Sequence, residues 1–148
     1  MIKNFLDKYR DAGILFIRLG FGFAFIFVHG YDKIMGGPAL WEKIGGAMGQ
    51  YGLTFAPVFW GFMASVSEFA GGILILLGLF TRPASAFMAF TMLTAFMMHT
   101  SKLDPWNRAI YPMEMFAVFM GLLFLGAGKF SIDALIAKRK KTPPVSQQ

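Results

Sequence analysis

The stretch PVFWGFMASVSEFAGGILILLGL, residues 57–79, holds a single ionisable side chain, Glu68, among its 23 residues. A helix that crosses the roughly 30 Å hydrocarbon core of a bilayer needs about 20 predominantly apolar residues, so this stretch predicts a transmembrane helix. Three other stretches are similarly long and apolar: residues 12–30, 83 to about 100, and 105 to about 128. Together they predict an all-α integral membrane protein, folded as a bundle of four transmembrane helices.

The composition agrees with a bilayer environment. Apolar residues make up 56% of the 148 residues and charged residues only 15%, against roughly one quarter charged in soluble domains. The chain contains no cysteine, which excludes disulfides, thiolate metal sites, c-type haem attachment and a dithiol redox relay. Any redox chemistry would therefore require a bound cofactor. The net charge of +6 is attributed to topology and to contact with anionic lipid headgroups, and nucleic-acid binding is not expected.

Basic residues are distributed unequally between the two ends of the predicted helices. One end carries the basic residues of 1–11 and 129–148 together with Arg82, whereas those at the other end are partly offset by Asp32, Glu42 and Asp104. By the positive-inside rule, both termini are predicted to be cytoplasmic in a multi-pass protein of the inner (cytoplasmic) membrane. The predicted organisation is a cytoplasmic N-terminal segment, 1–11, a membrane domain, 12–128, and a basic cytoplasmic tail, 129–148, which is disordered from residue 142. No cleavage site follows the first apolar run, so that run is predicted to be retained as a helix.

The connection between the first two spans is too long for a tight turn. Its middle has apolar residues at positions 40, 41, 44, 47, 48 and 51, which is helical spacing weakened by three glycines. With Trp41 at headgroup depth, this pattern predicts a short interfacial helix over the outer mouth of the bundle. A plain extracellular loop is the alternative. Asp104, directly before Pro105, is predicted to cap the last span.

Several ionisable residues fall within or at the edges of the predicted spans, among them Arg18, His29, Glu68, His99 and Glu114. Because a charged side chain is costly in hydrocarbon, such residues are expected to face the bundle interior, to pair, and to mark a site. Arg18, His29 and Lys33 lie on one stripe of the first helix. The depths of Arg18 and Glu68 put them within reach of each other, which predicts an ion pair. That pair would be either structural or part of a functional site.

Four polar residues are predicted to lie near the outer ends of the helices: His29, His99, Tyr111 and Glu114. Pro112 should interrupt the fourth helix beside Glu114, and broken helices at membrane depth are tolerated where they line a cavity. These four residues are therefore predicted to bound a pocket. Alternatively, the histidines sit at headgroup level and Glu114 is a first-turn acid favoured by the helix dipole. Two histidines also allow a b-type haem, and with Glu114 a metal, but neither spacing is diagnostic and no metal ligand is assigned.

Two segments resemble a known family of small four-helix membrane proteins. They are Arg18-x-x-x-Gly22 with Phe27-x-x-Gly30-x-x-Lys33, and Glu68-x-x-Gly71-Gly72-x-Leu74-x-x-x-Gly78-Leu79-x-Thr81-Arg82. The resemblance is to the DoxX family and covers roughly residues 12–128. It implies a quinone-linked oxidoreductase or a redox-complex subunit, with quinone as the cofactor and a soluble redox protein as partner.

A quinone site is physically compatible with these residues. An apolar pocket rich in Phe and Met accommodates the ring and tail, while Arg18, His29, His99 and Tyr111 are the candidate donors to its carbonyl oxygens. Glu68 and Glu114 are the candidate catalytic acids that relay protons. Two alternatives remain from other classes: a non-catalytic membrane scaffold that recruits soluble partners through its basic tail, and a small-solute pathway.

Overall fold

A computed structural model describes the backbone of residues 2–141 and the side chains of residues 8–140. Helices account for nearly all of this part of the chain, and it contains no strand. The elements are α1 (Ile2–Ala24), a π-helical segment (Phe25–Gly30), α2 (Tyr31–Met35), α3 (Gly37–Gly45), a 3₁₀ segment (Gly46–Tyr51), α4 (Pro57–Leu77), α5 (Thr81–Ser101), α6 (Trp106–Leu125) and α7 (Ile132–Lys141). The tail predicted to be disordered, residues 142–148, lies outside the described residues.

Long helices occupy all four stretches that were predicted to span a membrane. Within the described residues, three helical runs are long and apolar enough to cross a bilayer: Lys8–Met35, Pro57–Leu77 and Trp106–Leu125. The remaining long helix, α5, has 21 residues, the same length as α4, but it is more polar. The first run is longer than predicted, because the helix continues through the π-helical segment and α2 instead of ending near Gly30.

The ends of α4 and α5 follow from local chemistry. Pro57 occupies the first turn of α4, where a missing N–H removes no helical hydrogen bond. At the other end Gly78 has a φ of 66°, and the Leu79 N–H donates to the Leu74 carbonyl at 2.9 Å. This is a Schellman cap, which favours glycine. The N-terminus of α5 is capped from a distance, since the Asp133 carboxylate accepts from the N–H groups of Phe80 and Thr81.

A helix, α3, occupies part of the connection for which an irregular loop was the alternative. It crosses α4 so closely that a Cβ added at Gly61 would collide with the Trp41 backbone, and one added at Gly45 would collide with Pro57. The Trp41 ring packs edge-on against Phe62 at 4.9 Å. Gly45, which weakened the helical pattern in the sequence, is therefore a packing requirement in the fold.

The four long helices alternate in direction and enclose an apolar core, at whose centre Phe25 meets Phe119 edge-to-face at 5.0 Å. One end of the bundle, called the α7 end, contains the start of α1, the α4–α5 turn and α7. The opposite end, called the α3 end, contains α2, α3, the 3₁₀ segment and the α5–α6 turn. Large apolar side chains such as Phe16, Phe87 and Phe124 face outward between these ends.

Candidate functional site

A cavity of about 400 Å³ lies toward the α3 end, between α3, the 3₁₀ segment, α4 and α5. Its walls are mainly apolar and include Trp60, Met63, Phe90 and Met98. The 3₁₀ segment covers one side, where the Tyr51 ring stacks on Phe90 and the Tyr51 hydroxyl lies 3.2 Å from that of Thr94. This volume is within the range of small-molecule sites, which are usually apolar with a few polar groups.

An ion pair forms part of the cavity wall. The Lys33 ammonium lies 2.6 Å from each carboxylate oxygen of Glu68, which is almost fully buried. The Trp41 indole donates to the Lys33 carbonyl at 2.8 Å and so attaches α3 to the same place. Because an ammonium has three N–H groups and Glu68 accepts two of them, the ion pair leaves one N–H without a carboxylate partner.

His99 also lines the cavity, near the end of α5. Its Nδ1 lies 2.7 Å from an Asp104 carboxylate oxygen. Since a carboxylate only accepts, Nδ1 carries the proton and Nε2 is the atom left for another partner. Asp104 was predicted to cap α6, and this prediction is wrong: α6 has no side-chain cap, and the carboxylate orients His99 instead.

His29 and Tyr111 form a second polar pair beside the cavity wall. The Tyr111 hydroxyl lies 2.7 Å from His29 Nε2, and neither residue lines the cavity itself. His29 belongs to the π-helical segment, a rare conformation that is frequent at functional sites. His29 lies four residues before Lys33 in the same helical run. The His29–Tyr111 pair is therefore next to the Lys33–Glu68 pair along the chain.

The remaining two candidates lie elsewhere. Glu114 is exposed on α6, one turn beyond Tyr111, and does not line the cavity. Arg18 is at the α7 end, where it donates to the carbonyls of Ile75, Leu76, Ala127 and Phe130 at 2.8–3.0 Å. The predicted ion pair between Arg18 and Glu68 is wrong, because Glu68 pairs with Lys33. Backbone carbonyls satisfy the buried guanidinium in place of a carboxylate.

The predicted grouping of His29, His99, Tyr111 and Glu114 is thus only partly realised: His29 meets Tyr111, and His99 faces the cavity with Glu68. Pro112 is buried within a continuous α6, and the cavity lies against α4 and α5 instead.

Lys33 is the polar residue that sequence reasoning did not assign to the site. Its position on the stripe of Arg18 and His29 was the available signal. Within the described residues, no cluster of three or more His, Asp or Glu could hold a metal ion.

Long apolar helices whose outward faces carry large apolar side chains define an α-helical membrane protein. The family model described as DoxX matches residues 13–100, more than half of the chain. The chain belongs to the DoxX family.

Several relatives match over almost their full length. "Inner membrane protein YqjF" of Escherichia coli (strain K12) is 33% identical over 141 residues, which cover 90% of this chain and 99% of the relative. A Haemophilus influenzae protein is 32% identical over 142 residues, covering 92% and 99%. "Putative oxidoreductase CatD" of Bacillus subtilis (strain 168) is 26% identical over 141 residues, covering 95% and 99%. No solved structure gave a significant match.

Proposed function

We propose that this protein is an inner-membrane protein that binds a quinone in the cavity between α3, α4 and α5, as a subunit of a membrane oxidoreductase. The observation that carries the proposal is the apolar cavity of about 400 Å³ with Lys33, Glu68 and His99 in its wall. The oxidoreductase name of the Bacillus subtilis relative supports the reaction class, and the name of the Escherichia coli relative supports the location.

The residues present fit a quinone headgroup. Its flat ring needs apolar walls, which Phe59, Met63 and Phe90 provide, and its carbonyl oxygens need donors. Lys33 offers its third N–H, and a protonated His99 offers Nε2 while Asp104 holds the ring in place. A bound quinone supplies two-electron, two-proton redox chemistry. Because the chain has no cysteine and hence no thiol relay, the electrons come from another protein, which is why the proposal is a subunit.

Protons are handled by the chain's own residues. His99 Nε2 can take a proton from the cavity or return one to it, with Asp104 stabilising the charged ring. The Glu68 carboxylate orients the Lys33 ammonium in an apolar setting. The apolar walls and the 3₁₀ segment reduce the contact of these groups with water, which strengthens their electrostatic interactions with a ligand.

Ligand binding tests the site. The dissociation constant of a short-chain ubiquinone analogue and of a menaquinone analogue is measured for the purified full-length protein in nanodiscs. Lys33→Met and His99→Ala should each raise the dissociation constant of at least one analogue about tenfold. This is the effect expected when one hydrogen bond from a charged donor to the ligand is lost. Lys43→Met changes a lysine that is exposed on α3 outside the cavity, and it should leave binding unchanged. No binding by the unaltered protein, or equal constants for all variants, would overturn the proposal.

The proposal includes four membrane spans, with α5 as the fourth, both termini in the cytoplasm, and α3 lying at the outer surface. The distribution of basic residues supports this orientation. Because the long helices alternate in direction, the α3 end and the α7 end lie at opposite faces of the membrane. Since the chain has no cysteine, single cysteines report sidedness. In intact cells an impermeant thiol reagent should label Gln50→Cys, at the α3 end, and spare Ala137→Cys, on α7. The reverse labelling would show the opposite orientation.

A further inference from the structure

The α7 helix is attached to the bundle through Asp133. The carboxylate oxygens of this residue accept from the N–H groups of Phe80 at 2.9 Å and Thr81 at 3.1 Å. Its own N–H donates to the Gly78 carbonyl at 2.9 Å. Three hydrogen bonds therefore join the first turn of α7 to the α4–α5 turn.

The linker between α6 and α7 is fixed as well. Arg18, which is 1% exposed, donates through one nitrogen to the carbonyls of Ala127 and Phe130, both at 2.8 Å. On the other side of the linker, the Asp11 carboxylate accepts from the Lys129 N–H at 3.2 Å and pairs with the Lys129 ammonium at 3.3 Å. The direction in which α7 leaves the bundle is thus set by polar contacts on both sides of the linker.

The outer side of this fixed element is both apolar and basic. Phe130 is 58% exposed, Leu135 59% and Ile136 41%, and three exposed basic residues follow within the next four positions. These residues are called the α7 surface: Phe130, Leu135, Ile136, Lys138, Arg139 and Lys140. Apolar side chains that lie next to a basic cluster at a bilayer boundary are typical of segments bound to the membrane surface.

We propose that the α7 surface binds the anionic headgroups of the bilayer that the protein spans. The placement favours lipid over a soluble partner, because α7 begins seven residues after Leu125, where a membrane-crossing helix ends, and its contacts hold it there. At that depth the exposed apolar residues reach the acyl boundary, while the basic residues meet the phosphate layer. This assignment is independent of what the cavity binds.

Lipid-specific quenching tests the α7 surface. The full-length protein carries a single environment-sensitive fluorophore at Ala137→Cys in nanodiscs that contain brominated phosphatidylglycerol or, in equal amount, brominated phosphatidylcholine. Brominated phosphatidylglycerol should quench the fluorophore more strongly, and high salt should remove the difference. The same fluorophore at Gln50→Cys, at the α3 end, should show no preference between the two lipids.

A charge-matched comparison identifies the residues responsible. The triple change Lys138→Gln, Arg139→Gln and Lys140→Gln should abolish the preference, since each basic residue near an anionic surface contributes about fivefold to lipid enrichment. The triple change Lys43→Gln, Lys102→Gln and Arg108→Gln removes the same charge from the α3 end and should leave the preference intact. Equal quenching by the two lipids in the unaltered protein, or no quenching by either, would overturn the proposal.

Discussion

Lys33 and Glu68 interact across 2.6 Å, and 36% of the Lys33 side chain is exposed against 4% for Glu68. Taking both charges out of water costs free energy that their attraction only partly returns, whereas removing one partner leaves the other charged and uncompensated. The asymmetry of burial makes the two residues unequal. Glu68 is almost fully buried, whereas the partly exposed Lys33 can turn its ammonium toward solvent.

A double-mutant cycle tests this pair. Lys33→Met should lower the free energy of unfolding by about 2–4 kcal/mol, because it leaves the Glu68 carboxylate without its ion-pair partner in the bundle. Glu68→Gln should cost less, since Lys33 is one-third exposed. The double variant should recover part of the loss, giving a coupling energy above about 1 kcal/mol in a denaturant titration in mixed micelles. Strictly additive losses would contradict the pairing.

The approach of α3 to α4 determines how the cavity is closed. Two glycines, Gly45 and Gly61, let the helix backbones meet, and the indole of Trp41 then reaches the Lys33 carbonyl. Small residues at such crossings are common between membrane helices, because packing rather than the hydrophobic effect holds the helices together there. The wall of the cavity therefore depends on the lack of a side chain at Gly45 and Gly61 as well as on the side chains that line it.

Alanine substitutions at two glycines should distinguish the effect of the contact between α3 and α4 from the effect of helix propensity. Gly61→Ala should lower the free energy of unfolding by about 1–3 kcal/mol, since the new Cβ meets the Trp41 backbone, which cannot move without displacing α3. Gly20→Ala is the control, because a Cβ at Gly20 has nothing within 4 Å. It should be neutral or stabilising by up to about 1 kcal/mol. Equal behaviour of the two variants in thermal unfolding would show that α3 does not pack on α4 as described.

Across the whole molecule, polar contacts lie at the α3 end and at the α7 end, and they differ in what they bind. At the α3 end, polar groups surround a cavity and retain hydrogen-bonding capacity. At the α7 end, Arg18 uses its donors on four carbonyls from the end of α4 and the α6–α7 linker. The Ile75 and Leu76 carbonyls belong to the last turn of α4, where few helical N–H groups remain to bond them, and those of Ala127 and Phe130 lie in the linker after α6. Arg18 therefore joins segments that are more than 50 residues apart in the sequence.

Loss of this junction should destabilise the molecule strongly. Arg18→Met removes four hydrogen bonds of a charged donor that is itself 1% exposed, so the free energy of unfolding should fall by at least about 3 kcal/mol. Arg82→Met is the matched control, because Arg82 is exposed and makes one long contact, 3.4 Å, to the Phe124 carbonyl. Arg18→Met combined with Glu68→Gln should be additive, since the two residues do not touch. Recovery of stability in that double variant would show that Arg18 and Glu68 do form an ion pair.

Apart from the end of the first one, the positions of the four long helices follow from the sequence alone. Runs such as residues 57–79 satisfy the length and apolarity that a bilayer imposes, and Pro57 and Gly78 set the ends of α4 through local backbone chemistry. The motif from Glu68 to Arg82 was also enough to predict the family, which the family model confirms. These features depend on residues that are neighbours along one chain segment.

The partners of the charged side chains could not be obtained in that way. Depth along the helix axis placed Arg18 within reach of Glu68, but which residues meet also depends on how each helix is rotated about its axis and which helices are adjacent. The π-helical segment changes that rotation just before Lys33, and the glycine contact brings α3 onto α4. Because both effects arise from packing between distant segments, the location of the cavity and its Lys33–Glu68 wall became visible only in the folded molecule.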